Sequence, residues 1–247
     1  MSVPKVSYRS TCDWVEINMV SPSSLPVPSR ARREQVRLVR TFSPRPQSRR
    51  RQIYTPIKRV LDFVSALVLL VVLLPVLAAV ALLVRVSSSG PVIFRQRRLT
   101  DGGREFTMFK FRTMYENAER STGAIWASSK DPRITTVGRF LRKSRLDELP
   151  QLVNVLRGEM SLIGPRPERP ELVDSLEKEL PSFRRRMEVR AGITGLAQTA
   201  NGYASSIESY RKKLAFDILY VKNHCFLLDM RIAMRTVYVI LTGSGSR

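Results

Sequence analysis

Between Phe63 and Val84 the chain carries FVSALVLLVVLLPVLAAVALLV, twenty-two residues without one charged side chain. As a helix this run is about 33 Å long, enough to match the hydrocarbon core of a bilayer. It is too long, and too far from the N-terminus, for a secretory leader. Arg49 to Arg51, Lys58 and Arg59 precede it, and Arg85, Arg95, Arg97, Arg98 and Arg104 follow it. Both ends are therefore basic, and the distribution of lysine and arginine does not choose an orientation. Pro75, near the midpoint, removes one backbone hydrogen bond and kinks the helix. Two geometries satisfy the pattern: a kinked span with one basic end outside, or a re-entrant helix that bends at Pro75 and returns both ends to one face.

The rest of the chain must work with this segment. Of 247 residues, 42 are Lys or Arg and 21 Asp or Glu, a formal charge of +21, which predicts an anionic partner: nucleic acid, a phospholipid surface or a phosphorylated substrate. The two cysteines, Cys12 and Cys225, have neither metal-site spacing nor a disulfide framework. The lone histidine, His224, argues against a zinc site and reads as a polar residue at a loop or helix end. Chemistry is thus left to carboxylates and cations. Residues 1–52 are rich in Pro, Ser and Arg without apolar periodicity, and read as a disordered basic tail, either a solvated leader or an attachment to anionic lipid.

Beyond the apolar run, Val92 to Leu99 and Glu105 to Thr113 are predicted strands joined by the turn Thr-Asp-Gly-Gly. Lys110 and Arg112, two apart, are expected on one strand face, where they suit a diphosphate or a solvated edge. A basic cluster, Gly138 to Arg145, contains Arg142 and leads into Leu146-Asp-Glu-Leu-Pro-Gln151. Leu149, Leu152, Val153 and Leu156 predict a helix from about Glu148 to Arg157 that stops at Gly158. Pro150 then belongs to the first turn and Asp147 is the expected N-cap, kept ionised by unpaired N–H groups and the helix dipole. Asp147 and Glu148 are either a cap and its neighbour or a reactive carboxylate pair. Gly164-Pro-Arg-Pro167 is a stiff turn that restrains Arg166, a conformation suited to gripping phosphate. Residues 170–189 predict a charged amphipathic helix interrupted at Pro181, and 191–198 a loop with two glycines. Ser205-Ser-Ile-Glu208 is a capping box for a helix to about Asn223. The helix from Asp229 sets Met230, Ile232, Met234, Val237 and Ile240 against Arg231 and Arg235, a core or membrane-surface pattern. There is no Gly-rich phosphate loop, so phosphates must be held by side chains and helix ends.

Taken in order, several segments resemble the bacterial sugar transferase family, the monotopic phosphoglycosyl transferases. They are Lys58-Arg-Val-Leu-Asp62, the Pro-broken apolar helix, Phe94-Arg-Gln-Arg97, Lys110-Phe-Arg-Thr-Met114, Asp131-Pro-Arg-Ile-Thr135, Leu146 to Gln151, Asn154 to Gly158, Met160 to Pro167 and Gly192 to Gln198, spanning about residues 56–242. The resemblance implies transfer of a sugar 1-phosphate from a nucleotide sugar, usually a UDP-sugar, to a polyprenyl (undecaprenyl) phosphate, in initiation of exopolysaccharide, O-antigen or related glycan synthesis. It implies Asp147 as nucleophile, forming a phosphosugar-aspartyl intermediate, and Glu148, with Asp147, as holder of Mg²⁺. Arg142, Lys110, Arg112 and Arg166 would neutralise the donor diphosphate, and Lys58 and Arg59 would receive the polyprenyl phosphate. It also implies the re-entrant geometry kinked at Pro75, and a catalytic domain on the cytoplasmic face of the bacterial inner membrane. Membrane lipid and downstream glycosyltransferases become expected partners, and nucleic acid does not.

The chain departs from the family pattern at Thr100, where Gly is usual, at Ala191 for Pro, at Phe216 for Tyr, and at Leu74, where some members have Ser before the proline. The expected architecture is α+β: residues 1–52 a tail, 53–90 the membrane helix and flanks, 91–242 a small catalytic domain with amphipathic interfacial helices, and 243–247 a short C-terminal tail. The competing reading is a catalytically silent, membrane-anchored basic module that binds anionic lipid or polymer.

Overall fold

A computed structural model describes residues 7–9, 14–16, 49–116, 118, 131–201 and 207–242. The chain divides into two units, Met1–Pro46 and Gln47–Arg247. In the first, strands β1 (Ser7–Arg9) and β2 (Trp14–Glu16) pair antiparallel with Tyr8 opposite Val15. These six residues fall inside the segment expected as a disordered tail, whose other residues up to 48 lie outside the described ones.

The second unit begins with helix α1 (Arg49–Val72), so the predicted boundary at 52 falls inside a helix. After Leu73 the chain continues as α2 (Leu74–Ser87), inclined 63° to α1. Pro75 stands in the first turn of α2, where its missing N–H would otherwise have continued the α1 ladder. Among the described residues no single helix is long and apolar enough to cross a membrane; the bent pair has the length and composition of a broken span or a re-entrant loop. Ala66, Val80 and Val84 are buried against the rest of the unit, whereas Val64, Val68, Val71, Val72, Leu74, Leu82, Leu83 and Val86 are exposed.

The remainder is α+β. Strands β3 (Ile93–Leu99) and β4 (Glu105–Phe111) form the predicted hairpin, with Ile93 opposite Phe111 and Leu99 opposite Glu105. Phe106 and Met108 of β4 pack with Ala66 of α1 and with Leu152, Val155 and Met160, while Phe111 packs with Val80 and Val84 of α2. Helix α3 (Thr136–Ser144) starts at a Thr135 cap that accepts from the Gly138 N–H at 2.8 Å. Helix α4 (Gln151–Arg157) follows, then β5 (Ser161–Ile163), α5 (Pro170–Glu179), a 3-10 segment Phe183–Glu188, β6 (Gly192–Thr194), α6 (Leu196–Asn201), α7 (Ile207–Asn223) and α8 (Phe226–Thr242).

Strands β5 and β6 run parallel, Ser161 beside Gly192 and Ile163 beside Thr194, where the sequence predicts only loop. Their close approach explains the glycines: a Cβ on Gly192 would stand 2.1 Å from the Gly164 nitrogen. The expected break at Pro181 is present between α5 and the 3-10 segment. Ser205 and Ser206 of the predicted capping box, and residues 243–247, lie outside the described residues. Helix α8 starts three residues before Asp229, which is buried; along it Ile232 is buried while Met230, Met234, Val237, Tyr238, Ile240 and Leu241 are exposed.

Two departures from the family pattern are partners in space. The Thr100 hydroxyl donates to the Glu159 carbonyl at 2.7 Å and accepts from the Ala191 N–H at 3.3 Å. A proline at 191 has no N–H to give and would place its ring carbon against that hydroxyl; a glycine at 100 leaves room for it. Ala191→Pro should therefore cost about 1 kcal/mol in urea unfolding, and less when combined with Thr100→Gly. Additive costs would mean the two positions are independent.

Candidate active site

The acid pair sits on a turn made by backbone geometry. Helix α3 ends at Arg145, the one non-glycine residue with positive φ among the described residues (φ 61°). A left-handed residue reverses the chain, and Leu146–Glu148 closes as a 3-10 turn, with the Glu148 N–H bonded to the Arg145 carbonyl at 3.1 Å and Leu149 N–H to Leu146 at 3.3 Å. Helix α4 begins only at Gln151, with Pro150 at its cap and no side-chain cap bond. The expectation of a helix from Glu148 capped by Asp147 is thus corrected: the tighter turn takes up the backbone donors, and the carboxylate is released from capping.

Both carboxylates are buried, Asp147 at 7% and Glu148 at 8% exposure. Arg166 grips Glu148 as a fork, Nη2 to Oε1 at 2.6 Å and Nη1 to Oε2 at 3.2 Å, and Lys110 Nζ lies 3.5 Å from Oε1. Burial alone would raise Glu148, but the charges of Arg166 and Lys110 overcome it and hold the group far below the usual carboxylate range. Asp147 is treated differently. Its Oδ1 is buried without a hydrogen-bond partner. Burial, then the neighbouring Glu148 charge, pushes its carboxyl up to about 6, against the opposing pull of Lys110, Arg166 and Arg142. The expectation that a helix terminus keeps Asp147 firmly ionised is corrected accordingly, since the helix starts only at Gln151 and desolvation dominates. Burial also pushes Lys110 down to about 8.

Of the cations predicted from sequence, Lys110, Arg142 and Arg166 gather here; Arg142 Nε donates to the Thr113 hydroxyl at 2.8 Å and its charge acts on Asp147. Arg112 does not join them. Strand β4 ends at Phe111, so the two-residue alternation stops before Arg112, and its guanidinium turns to the end of α2. There it donates to the carbonyls of Pro91 and Ser88 (2.7 Å for the latter) and to the Ser88 hydroxyl at 3.0 Å. Carbonyls at a helix C-terminus are a natural cation seat, and here the Arg112 Nε is buried without a partner among the described residues.

Lys58 and Arg59 also have protein partners. Lys58 Nζ lies 2.6 Å from Asp229 and 3.7 Å from Asp62. Arg59 donates to the Val155 and Leu156 carbonyls at 2.6 and 2.9 Å, closing the end of α4. Neither is at the acid turn. Sequence reasoning passed over Gln151, which is 1% exposed and has an amide Nε2 without a partner. Its one available signal was a polar residue at an inward position of the helix, a position type it shares with the buried Asn154. The buried Asp147 oxygen without a partner among the described residues gives the site a polar atom still to be satisfied.

The raised Asp147 carboxyl has a consequence for stability. The native state binds this proton more tightly than the unfolded chain, so the contribution is complete below about pH 4 and is lost as pH rises through about 6. Asp147→Asn stays neutral throughout. Its thermal unfolding should match wild type near pH 4 and exceed it above pH 7, by about 3 kcal/mol; a pH-independent difference would contradict the buried, raised carboxyl.

Residues 53–243 match the family model described as bacterial sugar transferase. A UDP-N-acetylgalactosamine-undecaprenyl-phosphate N-acetylgalactosaminephosphotransferase of Aeromonas hydrophila is 45% identical over 195 residues, 79% of this chain and 46% of that protein. A UDP-glucose:undecaprenyl-phosphate glucose-1-phosphate transferase of Caulobacter vibrioides is 42% identical over 187 residues, 75% of this chain and 70% of the relative. An exopolysaccharide production protein of Rhizobium leguminosarum bv. phaseoli is 39% identical over 195 residues, 76% of this chain and 98% of the relative. The chain thus spans less than half of the Aeromonas protein and nearly all of the Rhizobium one. A family model matched over residues 53–243, with relatives at this identity, shows that the chain belongs to the bacterial sugar transferase family.

Proposed function

We propose that this chain is a phosphoglycosyl transferase that moves a sugar 1-phosphate from a UDP-sugar to undecaprenyl phosphate, giving undecaprenyl diphosphate sugar and UMP, at the start of exopolysaccharide or related glycan synthesis. The names of its relatives support the reaction class. The observation that carries the reading is the unequal treatment of the acid pair: Glu148 is fixed by Arg166 and Lys110, while Asp147 keeps a buried oxygen without a partner.

In this reading an Asp147 carboxylate oxygen attacks the phosphorus bonded to the sugar. The bond from that phosphorus to the oxygen bridging the two phosphates breaks, and UMP leaves with that oxygen. A phosphosugar-aspartyl ester remains. An oxygen of undecaprenyl phosphate then attacks the same phosphorus, and the carboxylate is restored. Dividing one displacement into two suits a nucleophile held in a desolvated pocket. Lys110, Arg142 and Arg166 surround the turn with the positive charge that a diphosphate and a departing phosphate need.

Magnesium fits this donor set. It is commonly bound by one or two carboxylates plus substrate phosphates, and Asp147 offers an unclaimed oxygen. Asp147 would hold it, joined by Glu148 only where part of the Arg166 fork gives way, and the bound ion would neutralise diphosphate charge. The exposed apolar faces of α1, α2 and α8 would contact lipid, with the bend at Pro75 returning both basic flanks to the cytoplasmic face of the bacterial inner membrane. Downstream glycosyltransferases would consume the product.

Asp147→Asn should abolish UMP release from every UDP-sugar that wild type accepts, and wild type quenched with donor should carry a phosphosugar mass adduct on Asp147. For wild type, kcat/KM should fall as pH drops through about 6, where Asp147 gains its proton, and again as pH rises through about 8, where Lys110 loses its charge. Full activity of the Asn variant would remove Asp147 as nucleophile. For the membrane reading, Ser48→Cys and Ser89→Cys, each made with Cys12→Ser and Cys225→Ser, should be labelled by an impermeant reagent from the same, cytoplasmic, side; labelling from opposite sides would establish a span.

A further inference from the structure

Behind Arg166 lies a set of buried charges that the proposed chemistry does not use. Arg98 comes from β3, Glu168 from the segment before α5, Arg186 from the 3-10 segment, and Lys213 and Asp217 from one face of α7. Their side chains are between 2% and 16% exposed. Arg186 is the hub: Nη2 lies 2.7 Å from Asp217 and Nη1 lies 3.4 Å from Glu168, and its guanidinium stacks over the Phe183 ring at 4.9 Å. Lys213 pairs with the same Glu168, and Arg98 lies 3.6 Å from its other oxygen.

The set converges on two consecutive backbone carbonyls, and the strand holds the next. Arg186 Nη2 donates to the carbonyl of Arg166 at 2.7 Å, Arg98 Nη1 to that of Pro167 at 3.2 Å, and the Leu99 N–H to that of Glu168 at 3.0 Å. Burying five charges is a poor route to stability, because well-packed apolar residues of similar size do as well or better. What apolar residues do not supply is donors aimed at successive carbonyls. The Gly164-to-Pro167 turn is held from behind at the residue whose side chain forks onto Glu148.

We propose that Arg186, fixed by Asp217 and Glu168, is a positioning residue: it sets the backbone of Arg166 so that the Arg166 fork meets Glu148 and the reacting phosphate. The part concerning phosphate rests on the function proposed above; the part concerning Arg166 and the acid pair does not. A fork displaced by about 1 Å loses roughly a hundredfold in rate, and it also withdraws positive charge from Asp147.

The test is a double-mutant cycle with Arg166→Gln. Arg186→Gln and, separately, the nearly isosteric Asp217→Asn should lower kcat for UMP release by about tenfold to a hundredfold. In the Arg166→Gln background the same substitutions should cost no more than about twofold, because the residue they act through is gone. A second readout needs no turnover: in a crystal structure of Asp217→Asn the Arg166 guanidinium should move from Glu148 by about 1 Å. Should Arg186→Gln not fold, Asp217→Asn carries both readouts. Additive losses with an unmoved Arg166 fork would make the cluster purely structural and overturn the proposal. A wild-type protein that releases no UMP from any UDP-sugar would instead remove the functional reading, leaving the position of the fork to decide the positioning role.

Discussion

Two adjacent carboxylates buried on one short turn repel each other and lose hydration, and the rest of the site is organised around that conflict. A protein with an excess of basic residues could neutralise both. This one assigns its closest cations to one of them. Arg166 makes a two-point fork on Glu148 and Lys110 stands beside it, so Glu148 is a fixed negative charge that raises its neighbour. Asp147 is left with an oxygen that nothing among the described residues satisfies. An aspartate locked in a bidentate ion pair would have its lone pairs directed at a guanidinium, whereas an unpaired one can direct them at phosphorus.

The bent helix pair is tied into the same turn through basic residues that flank it. Arg59 closes the end of α4, whose other end follows the acid pair directly. Lys58 pairs with Asp229 of α8, and Arg112 reaches from beyond β4 to the end of α2. Flanking positive charges beside an apolar segment are usually read as orientation signals. Here Lys58 and Arg59, joined by Arg112 from beyond β4, also dock the segment onto the rest of the unit, by bonding to helix-end carbonyls and buried carboxylates. The exposed apolar faces of α1 and α2 and the acid turn are consequently held on one framework.

Much of this was legible in the sequence where a local pattern has one structural meaning. The β3–β4 hairpin followed from its glycine turn and the kink from Pro75, and the acid pair stood out because carboxylates are scarce among so many cations. Legibility failed where a side chain's partner lies far along the chain. The spacing of Lys110 and Arg112 predicts one shared face, but the strand ends between them and α2 offers Arg112 a better seat. The β5–β6 pair was hidden because three-residue strands carry too little periodicity, and their glycines read as loop until the backbone contact at Gly164 and Gly192 is seen. Asp147 was misread as a cap because Pro150 and the apolar spacing place a helix start near it; the left-handed Arg145 that changes the geometry carries no mark in the sequence.

That left-handed residue links local strain to the site's electrostatics. A non-glycine residue held at positive φ costs on the order of 1 kcal/mol or more, and a glycine at 145 would avoid it. The strain turns the chain sharply enough to place Leu146–Glu148 as a tight turn between α3 and α4 rather than as the first turn of a long helix. In a long helix Asp147 would be drawn to cap free N–H groups, its carboxyl would fall, and its oxygens would be occupied. The 3-10 turn instead satisfies the backbone through its own i to i+3 bonds and leaves the side chain desolvated and uncommitted. The same backbone reversal keeps a cation beside the pair, since the Arg145 charge also lowers Glu148. Strain in the main chain and charge on the side chain therefore act together: one keeps Asp147 from becoming a cap, and the other helps Glu148 remain the carboxylate that is fixed.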